Sequence, residues 1–276
     1  MKKLSIILVD WNGYSLRRNK VLGENSIKCG LGRILDKMNK YHAGMDFELN
    51  LIINCKDEDE QNSQWYTLPF LFKNYWSLTN EKYKSLQNKY PFINNVYFRD
   101  NTDMDIGAYN YGLDILRSEN YQGDVLFMNT SVILPSRDGW LGDYQRLFYR
   151  EDNTGLCGTT LNHNNNISQP PIFMPHVQSF FLYTNTDILM KVFDNRLPCN
   201  SSNTNSVFIS DGSTYSEKDR IIVNGEIGIS QRVLNQGYSI RCSSFPDFNY
   251  KNGDDWLIPV YDIRYKRKYL QFANQA

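Results

Sequence analysis

The sequence carries no surplus of either charge: Lys and Arg together number 30, Asp and Glu together number 30, in 276 residues. No basic field is available to hold a phosphate backbone, so a nucleic-acid partner is not expected. Cysteine is sparse. Cys29, Cys55, Cys157, Cys199 and Cys242 lie far apart, with no C-x-x-C pair and no histidine at ligand spacing. That spacing excludes a zinc finger and argues for reduced thiols rather than a disulfide frame. Long apolar runs are missing too. The apolar stretch Leu4–Val9 is six residues long and is stopped by Asp10, far short of a membrane span or a secretory leader. The expectation is a cytoplasmic protein. Finally, no Gly-rich P-loop, no G-x-S-x-G and no H-E-x-x-H occurs, which removes the best-marked nucleotide hydrolases, serine hydrolases and zinc proteases.

What is present suits a large α/β unit. Hydrophobic residues make up 41% of the chain, enough for a sizeable core. Leu4–Val9 reads as a buried parallel strand running into the polar set Asp10, Trp11, Asn12 and Gly13. A helical pattern follows at Leu31, Ile34, Leu35 and Met38, then a strand over Phe47–Ile53 that ends at Asn54, Cys55, Lys56 and Asp57. The acidic run Asp57–Glu60 reads as a solvated loop. Trp65–Tyr90 reads as one or two helices packed on a sheet, with Phe70, Tyr75, Trp76 and Leu78 in the core. Asn95–Phe98 and Asp124–Met128 are further strands flanking a helix that starts at Ile106, Gly107 and Ala108. Strand and helix alternate, and the order predicts a mostly parallel sheet. Further on, Trp140–Phe148 reads as a helix, Gly155–Gly158 as a short strand, Asn162–Asn166 as a polar loop with a solvated His163, and His176–Tyr183 as a strand. Asn200–Glu217 reads as a loop before a helix that begins near Gly225.

Polar residues gather where these strands end. In an open α/β sheet that is where ligands bind, because backbone amides and short polar side chains converge there. Asn101, Asp103 and Asp105 precede the helix at Ile106. One carboxylate there is explained by capping the helix amides. Capping does not explain an Asn and two Asp within five residues, so a hydroxyl-binding role is expected of at least one. Gly107 and Ala108 allow close backbone approach to a neighbour. Asp103 and Asp105 form a D-x-D pair, which in principle suits Mg or Mn bridging a diphosphate. Arg99, near the same strand end, is a candidate cation for a leaving diphosphate, with a surface arginine the commoner reading. His176 and Gln178 head an apolar strand, and Glu226 sits where a helix is expected to start, so capping competes with chemistry there as well.

Four pieces in order carry a family resemblance: Asn101 to Ala108 (N-x-x-x-D-I-G-A), Asp124 to Ser131 (D-V-L-F-M-N-T-S), His176 to Phe181 (H-V-Q-S-F-F), and Gly225 to Gln231 (G-E-I-G-I-S-Q) followed by Gly237-Tyr238. In this the chain resembles bacterial glycosyltransferases of the GT-A fold, in particular the rhamnan-synthesis-type enzymes of surface polysaccharides. The resemblance implies a Rossmann-related, mostly parallel central sheet flanked by helices, with a smaller antiparallel portion on the acceptor side. It implies one catalytic domain over residues 1–260, with a nucleotide-sugar half at 1–135, an acceptor half at 136–260, and a basic and aromatic tail at 261–276. The activity implied is transfer of a sugar from a UDP-, dTDP- or GDP-linked donor to a glycan or lipid-linked glycan, inverting, with Glu226 as general base ahead of Asp105 and Asp103. Donor contacts fall to Asp10, Trp11, Asn12, Cys55, Asp57, Arg99, Asn101, Asp103, Asp105, Asn129 and Ser131, and acceptor contacts to His176 and Gln178.

One departure matters. Where the family's metal-binding carboxylate pair would follow the strand at Asp124–Met128, this chain has Asn129, Thr130 and Ser131, neutral residues that bring no charge to a cation. Metal independence is therefore expected; a bound Mg or Mn would have to draw on Asp103 or Asp105. The leaving diphosphate otherwise needs basic side chains or helix amides. The tail cations Arg264, Lys266, Arg267 and Lys268, set among aromatics, offer a peripheral membrane contact at the inner face of the cell membrane. Two rivals stand beside this reading: a nucleotidyltransferase, for which Trp11 to Tyr14 lacks a phosphate loop, and a catalytically inactive sugar-binding subunit.

Overall fold

A computed structural model of the chain describes residues 3–22, 25–55, 81–132, 135–165, 167, 171–199 and 216–258. Its centre is an eight-stranded sheet. The strands belonging to it are β1 (Leu4–Trp11), β4 (Phe47–Cys55), β5 (Ile93–Asp100), β6 (Asp124–Asn129), β7 (Thr154–Gly158), β10 (Phe181–Asn185), β11 (Ser239–Cys242) and β12 (Phe245–Tyr250). Across the sheet the order is β12-β11-β7-β10-β6-β1-β4-β5. β6, β1, β4 and β5 are parallel neighbours, while β10 runs antiparallel to both β6 and β7. The fold is thus α/β with a mostly parallel centre and an antiparallel flank, as the alternation of elements predicts.

β1 reads as it does because it is covered on both faces. Leu4, Ile6 and Leu8 point into one core with α1 (Leu31–Lys40), the helical residues 81–89, here α2, and α4 (Trp140–Phe148). Ile7 and Val9 point into the other, with α3 (Met104–Ser118), α5 (Thr186–Phe193) and α7 (Gly228–Asn235). A strand buried on both sides needs an unbroken apolar run, and period 2 then decides which core each residue joins.

Two further antiparallel pairs lie outside the sheet: β2 (Arg18–Leu22) with β3 (Asn25–Cys29), and β8 (Leu161–Asn165) with β9 (Ile172–Val177). β8 corrects the sequence reading of Asn162–Asn166 as a loop. Cross-strand pairing overrides the poor strand propensity of Asn. His163 is not simply solvated: its ring lies 5.1 Å from that of Trp256 and 5.8 Å from that of Phe173, and burial draws its pKa down. The expected strand His176–Tyr183 is two strands, β9 and β10, joined by a turn in which the Phe181 amide donates to the Gln178 carbonyl.

The largest correction concerns Glu226. The helix does not begin near Gly225. It begins at Glu217, where Ser216 and Asp219 form a reciprocal capping box. It then runs through α6 (Glu217–Ile221), a π-helical segment (Ile222–Ile227) and α7 without a break, the junction residues Ile222 and Gly228 both keeping right-handed helical dihedrals. Glu226 therefore lies inside a π turn, the geometry that recurs at functional sites, and caps no helix. The Trp65–Leu78 reading, the loop 200–215 and the tail from 261 lie outside the described residues.

Candidate active site

The carboxyl ends of β1 and β6 divide a set of polar side chains between the two faces of the sheet. Thr130 follows β6, and its hydroxyl donates to Asp10 Oδ1 at 2.7 Å; Tyr83 from α2 donates to Asp10 Oδ2 at 3.2 Å. Burial raises the pKa of Asp10, opposed by those hydrogen bonds and by the Arg18 charge. Arg18, the first residue of β2, brings Nη2 to 3.5 Å from the Thr130 carbonyl and lays its guanidinium 3.6 Å over the Tyr14 ring. Tyr14 in turn meets Trp11 edge-on at 4.7 Å. Asn12 is buried, its backbone N–H donating to the Asn54 backbone carbonyl at 3.0 Å.

On the other face, Asn129 donates from Nδ2 to Asp105 Oδ2 at 2.5 Å, and its Oδ1 accepts from the Ser131 amide at 2.9 Å. One helical turn after Asp105, the Tyr109 hydroxyl donates to the Ser179 carbonyl at 2.9 Å. Ser179 then grips Glu226: its amide donates to Oε2 at 2.9 Å and its hydroxyl to the same oxygen at 2.6 Å. Glu226 Oε1 faces His176 Nε2 at 3.8 Å. His176 is buried, and its Nδ1 lies 2.7 Å from the Met174 carbonyl. A carbonyl can only accept, so Nδ1 carries the proton. Hydrogen bonds thus join Asp105, Asn129 and Ser131 in one group, and Tyr109, Ser179 and Glu226 in another, with Asp105 and Tyr109 one turn apart on α3. Burial first, then the Asp105 and Glu226 charges, raise the pKa of Tyr109 well above the ordinary phenol value.

The turn before α3 is held in an unusual form. Asp103 and Met104 both have positive φ, 55° and 48°, a conformation that costs a non-glycine residue about 1–2 kcal/mol. Asn54 and Arg99 hold it in place. Asn54 Nδ2 donates to the Met104 carbonyl at 3.0 Å, while Arg99 donates to Asn54 Oδ1 and to the Thr102 carbonyl, each at 2.8 Å. Gly107 fits because a Cβ there would come within 2.2 Å of the Thr102 carbonyl, the close approach its sequence suggested.

Several expected site residues have other work. Arg99 is engaged by the turn, through Asn54 and the Thr102 carbonyl. Asp103 makes no capping hydrogen bond to the helix it precedes, so the capping explanation fails for it. The Cys55 side chain packs in the core with its thiol directed at the Ile53 carbonyl, and burial pushes its pKa up to about 11; only its backbone faces the strand end. Gln178 Oε1 accepts from Thr160 at 3.0 Å, which fixes the β9–β10 turn. Asn101 contributes its carbonyl to the Met104 amide, and Asp57 lies outside the described residues. Tyr109, Ser179, Asn54, Thr130 and Arg18 join the site unforeseen, because long-range contacts leave no local trace in the sequence.

Among the described residues no three His, Cys, Asp or Glu side chains come together as a ligand set. Asp105 is engaged by Asn129, and the end of β6 offers neutral oxygens only. Among the described residues the donors gathered here are too few for a three-ligand cation site. Nor is any helix among the described residues long and apolar enough to cross a membrane.

No family model matches this chain, and no curated protein matches it. Solved structures do superpose. A cytidylyltransferase from Leptospira borgpetersenii serovar Hardjo-bovis aligns with 92% of this chain and 78% of its own, at 12% identity and a TM-score of 0.41. The bifunctional glycosyltransferase WbbM aligns with 88% of this chain at 10% identity and a TM-score of 0.41, and this chain spans 39% of its length.

Proposed function

We propose that this chain is a glycosyltransferase that moves a sugar from a nucleoside-diphosphate donor to a glycan hydroxyl, with Glu226 as the general base. The observation that carries this reading is the asymmetric grip on Glu226. Ser179 takes Oε2 twice, leaving Oε1 directed at His176 with the side chain 19% exposed. A carboxylate held by one oxygen, with the other facing an imidazole nitrogen beyond hydrogen-bond distance, is arranged to accept a proton.

In the reaction, Glu226 Oε1 removes the acceptor hydroxyl proton as that oxygen forms a bond to the anomeric carbon. The bond from that carbon to the phosphate oxygen breaks on the opposite face, and its electron pair leaves with the nucleoside diphosphate. Asp105 acts by holding Asn129, whose amide, with Ser131, would bind the donor sugar. Asp10, Trp11 and Asn12 would line the nucleotide side, and His176 stands beside the base, where its Nε2 can take the proton onward. Surface-polysaccharide assembly is the setting that the motif resemblance suggests.

Glu226→Gln is expected to lower transfer by about 100- to 10,000-fold while the affinity for nucleotide stays within twofold or so of the parent. Isothermal titration with nucleoside diphosphates and a radiolabelled transfer assay read the two quantities separately. Full turnover in the variant would remove Glu226 from the chemistry.

A further inference from the structure

We infer that Arg18 is the cation that receives the diphosphate of the donor, at a strand end where no group of three metal-ligating side chains comes together among the described residues. This deepens the donor reading above and rests on it. A departing nucleoside diphosphate accumulates negative charge, which needs a positive partner within contact distance. Among the described residues near the ends of β1 and β6, Arg99 is spent on Asn54, Thr102 and Asp100.

Arg18 is not spent. It forms no ion pair among the described residues, and its Nη1 is shielded from solvent yet has no hydrogen-bond partner there. Leaving a guanidinium nitrogen dry and unpaired is costly, so the arrangement wants an acceptor. The group is also aimed. The Tyr14 ring holds it from one side at 3.6 Å, and Nη2 is 3.5 Å from the carbonyl of Thr130, next to the Asn129 and Ser131 pair assigned to the sugar. Asp10 feels its charge but is satisfied by Thr130 and Tyr83. A fork of N–H donors between the nucleotide side and the sugar side matches the two phosphates that lie between nucleoside and sugar.

Inorganic pyrophosphate is the probe that does not require knowing the nucleotide. Titrated in EDTA, it is expected to bind the parent protein and the exposed-arginine control Arg117→Met alike, and to bind Arg18→Met about 10- to 100-fold more weakly. Arg18→Lys, which keeps the charge and loses the fork, should fall between; should the Met variant fail to fold, Lys and Gln at the same position read the same contact. Nucleosides without phosphate should bind parent and variants equally. Parent-like pyrophosphate affinity in the folded Arg18 variants would overturn the assignment of Arg18 and leave the transferase reading standing. Failure of every nucleoside diphosphate to bind the parent would instead remove that reading, and this inference with it.

Discussion

Asp10 is 2% exposed and sits between two hydroxyl donors, yet its pKa is raised, because the desolvation of a carboxylate at the end of a doubly covered strand outweighs both bonds. The sign of the consequence follows by linkage. An acid whose folded pKa lies above its unfolded value binds more protons when folded, so its contribution to stability is present below the unfolded value of 3.8 and is lost as pH rises through the folded one. Asp10→Asn removes that titration and keeps one acceptor. The melting temperature of the parent should therefore fall relative to the variant as the pH is raised from about 4 toward neutrality, which paired thermal melts across that range will read. A constant difference would mean that Asp10 ionises as easily in the fold as in the unfolded chain. At this scale the sequence is informative about residue type and silent about pairing. Asp10 and Asn129 are visible at strand ends, but that Thr130 turns to Asp10 while Asn129 turns to Asp105 follows from the alternation of β6 across two cores. Cys55 obeys the same rule, and its side chain falls on the core side.

Among the elements, the helix carrying Glu226 is the instructive one. Its start at Ser216 and Asp219 has the spacing of a capping box and could be read directly, whereas the π turn has no compositional signature, so Gly225 suggested a beginning where the helix is only widened. The use of Gly225 lies elsewhere. A Cβ there would come within 2.8 Å of the Ile106 side chain and 3.5 Å of the Pro198 carbonyl, so the missing side chain lets the π segment lie against the first turn of α3. That contact sets Glu226 beside the helix that bears Asp105. Gly225→Ala should destabilise the protein by about 1–3 kcal/mol through overpacking. It should also lower kcat by up to about a hundredfold, by shifting the proposed base relative to the proposed donor side, with nucleotide affinity nearly unchanged. Denaturant midpoints and steady-state kinetics separate the two effects, and unaltered kcat would show that the segment tolerates displacement. β8 departs from its sequence reading for the opposite reason: three of its five residues are Asn, and only its partner β9 makes it a strand.

Taken whole, the molecule has a buried anchor at one end of its central strands and the candidate site at the other, and the sheet is more legible in the sequence than the pairing of the polar residues at its mouth. The apolar runs of β1 and β6 declare the parallel centre, and their polar endings declare where to look, but nothing local announces Arg18, Ser179 or Tyr109. The amino end of β6 is anchored by Asp124, a buried carboxylate that accepts from Tyr183 at 2.7 Å, from Gln145 at 3.0 Å and from Tyr149. Burial and the Asp124 charge push the Tyr149 hydroxyl up to about 12. Strands rise about 3.3 Å per residue, which puts this anchor roughly 17 Å from Asn129. Asp124→Ala strands a buried tyrosine hydroxyl and should cost about 2–4 kcal/mol. The urea midpoint should drop with no change in slope, while pyrophosphate and nucleotide affinities of the folded fraction stay at the parent values. A variant that loses affinity along with stability would mean that the two ends of β6 are coupled, and that the sheet transmits what happens at its floor to the polar residues at its mouth.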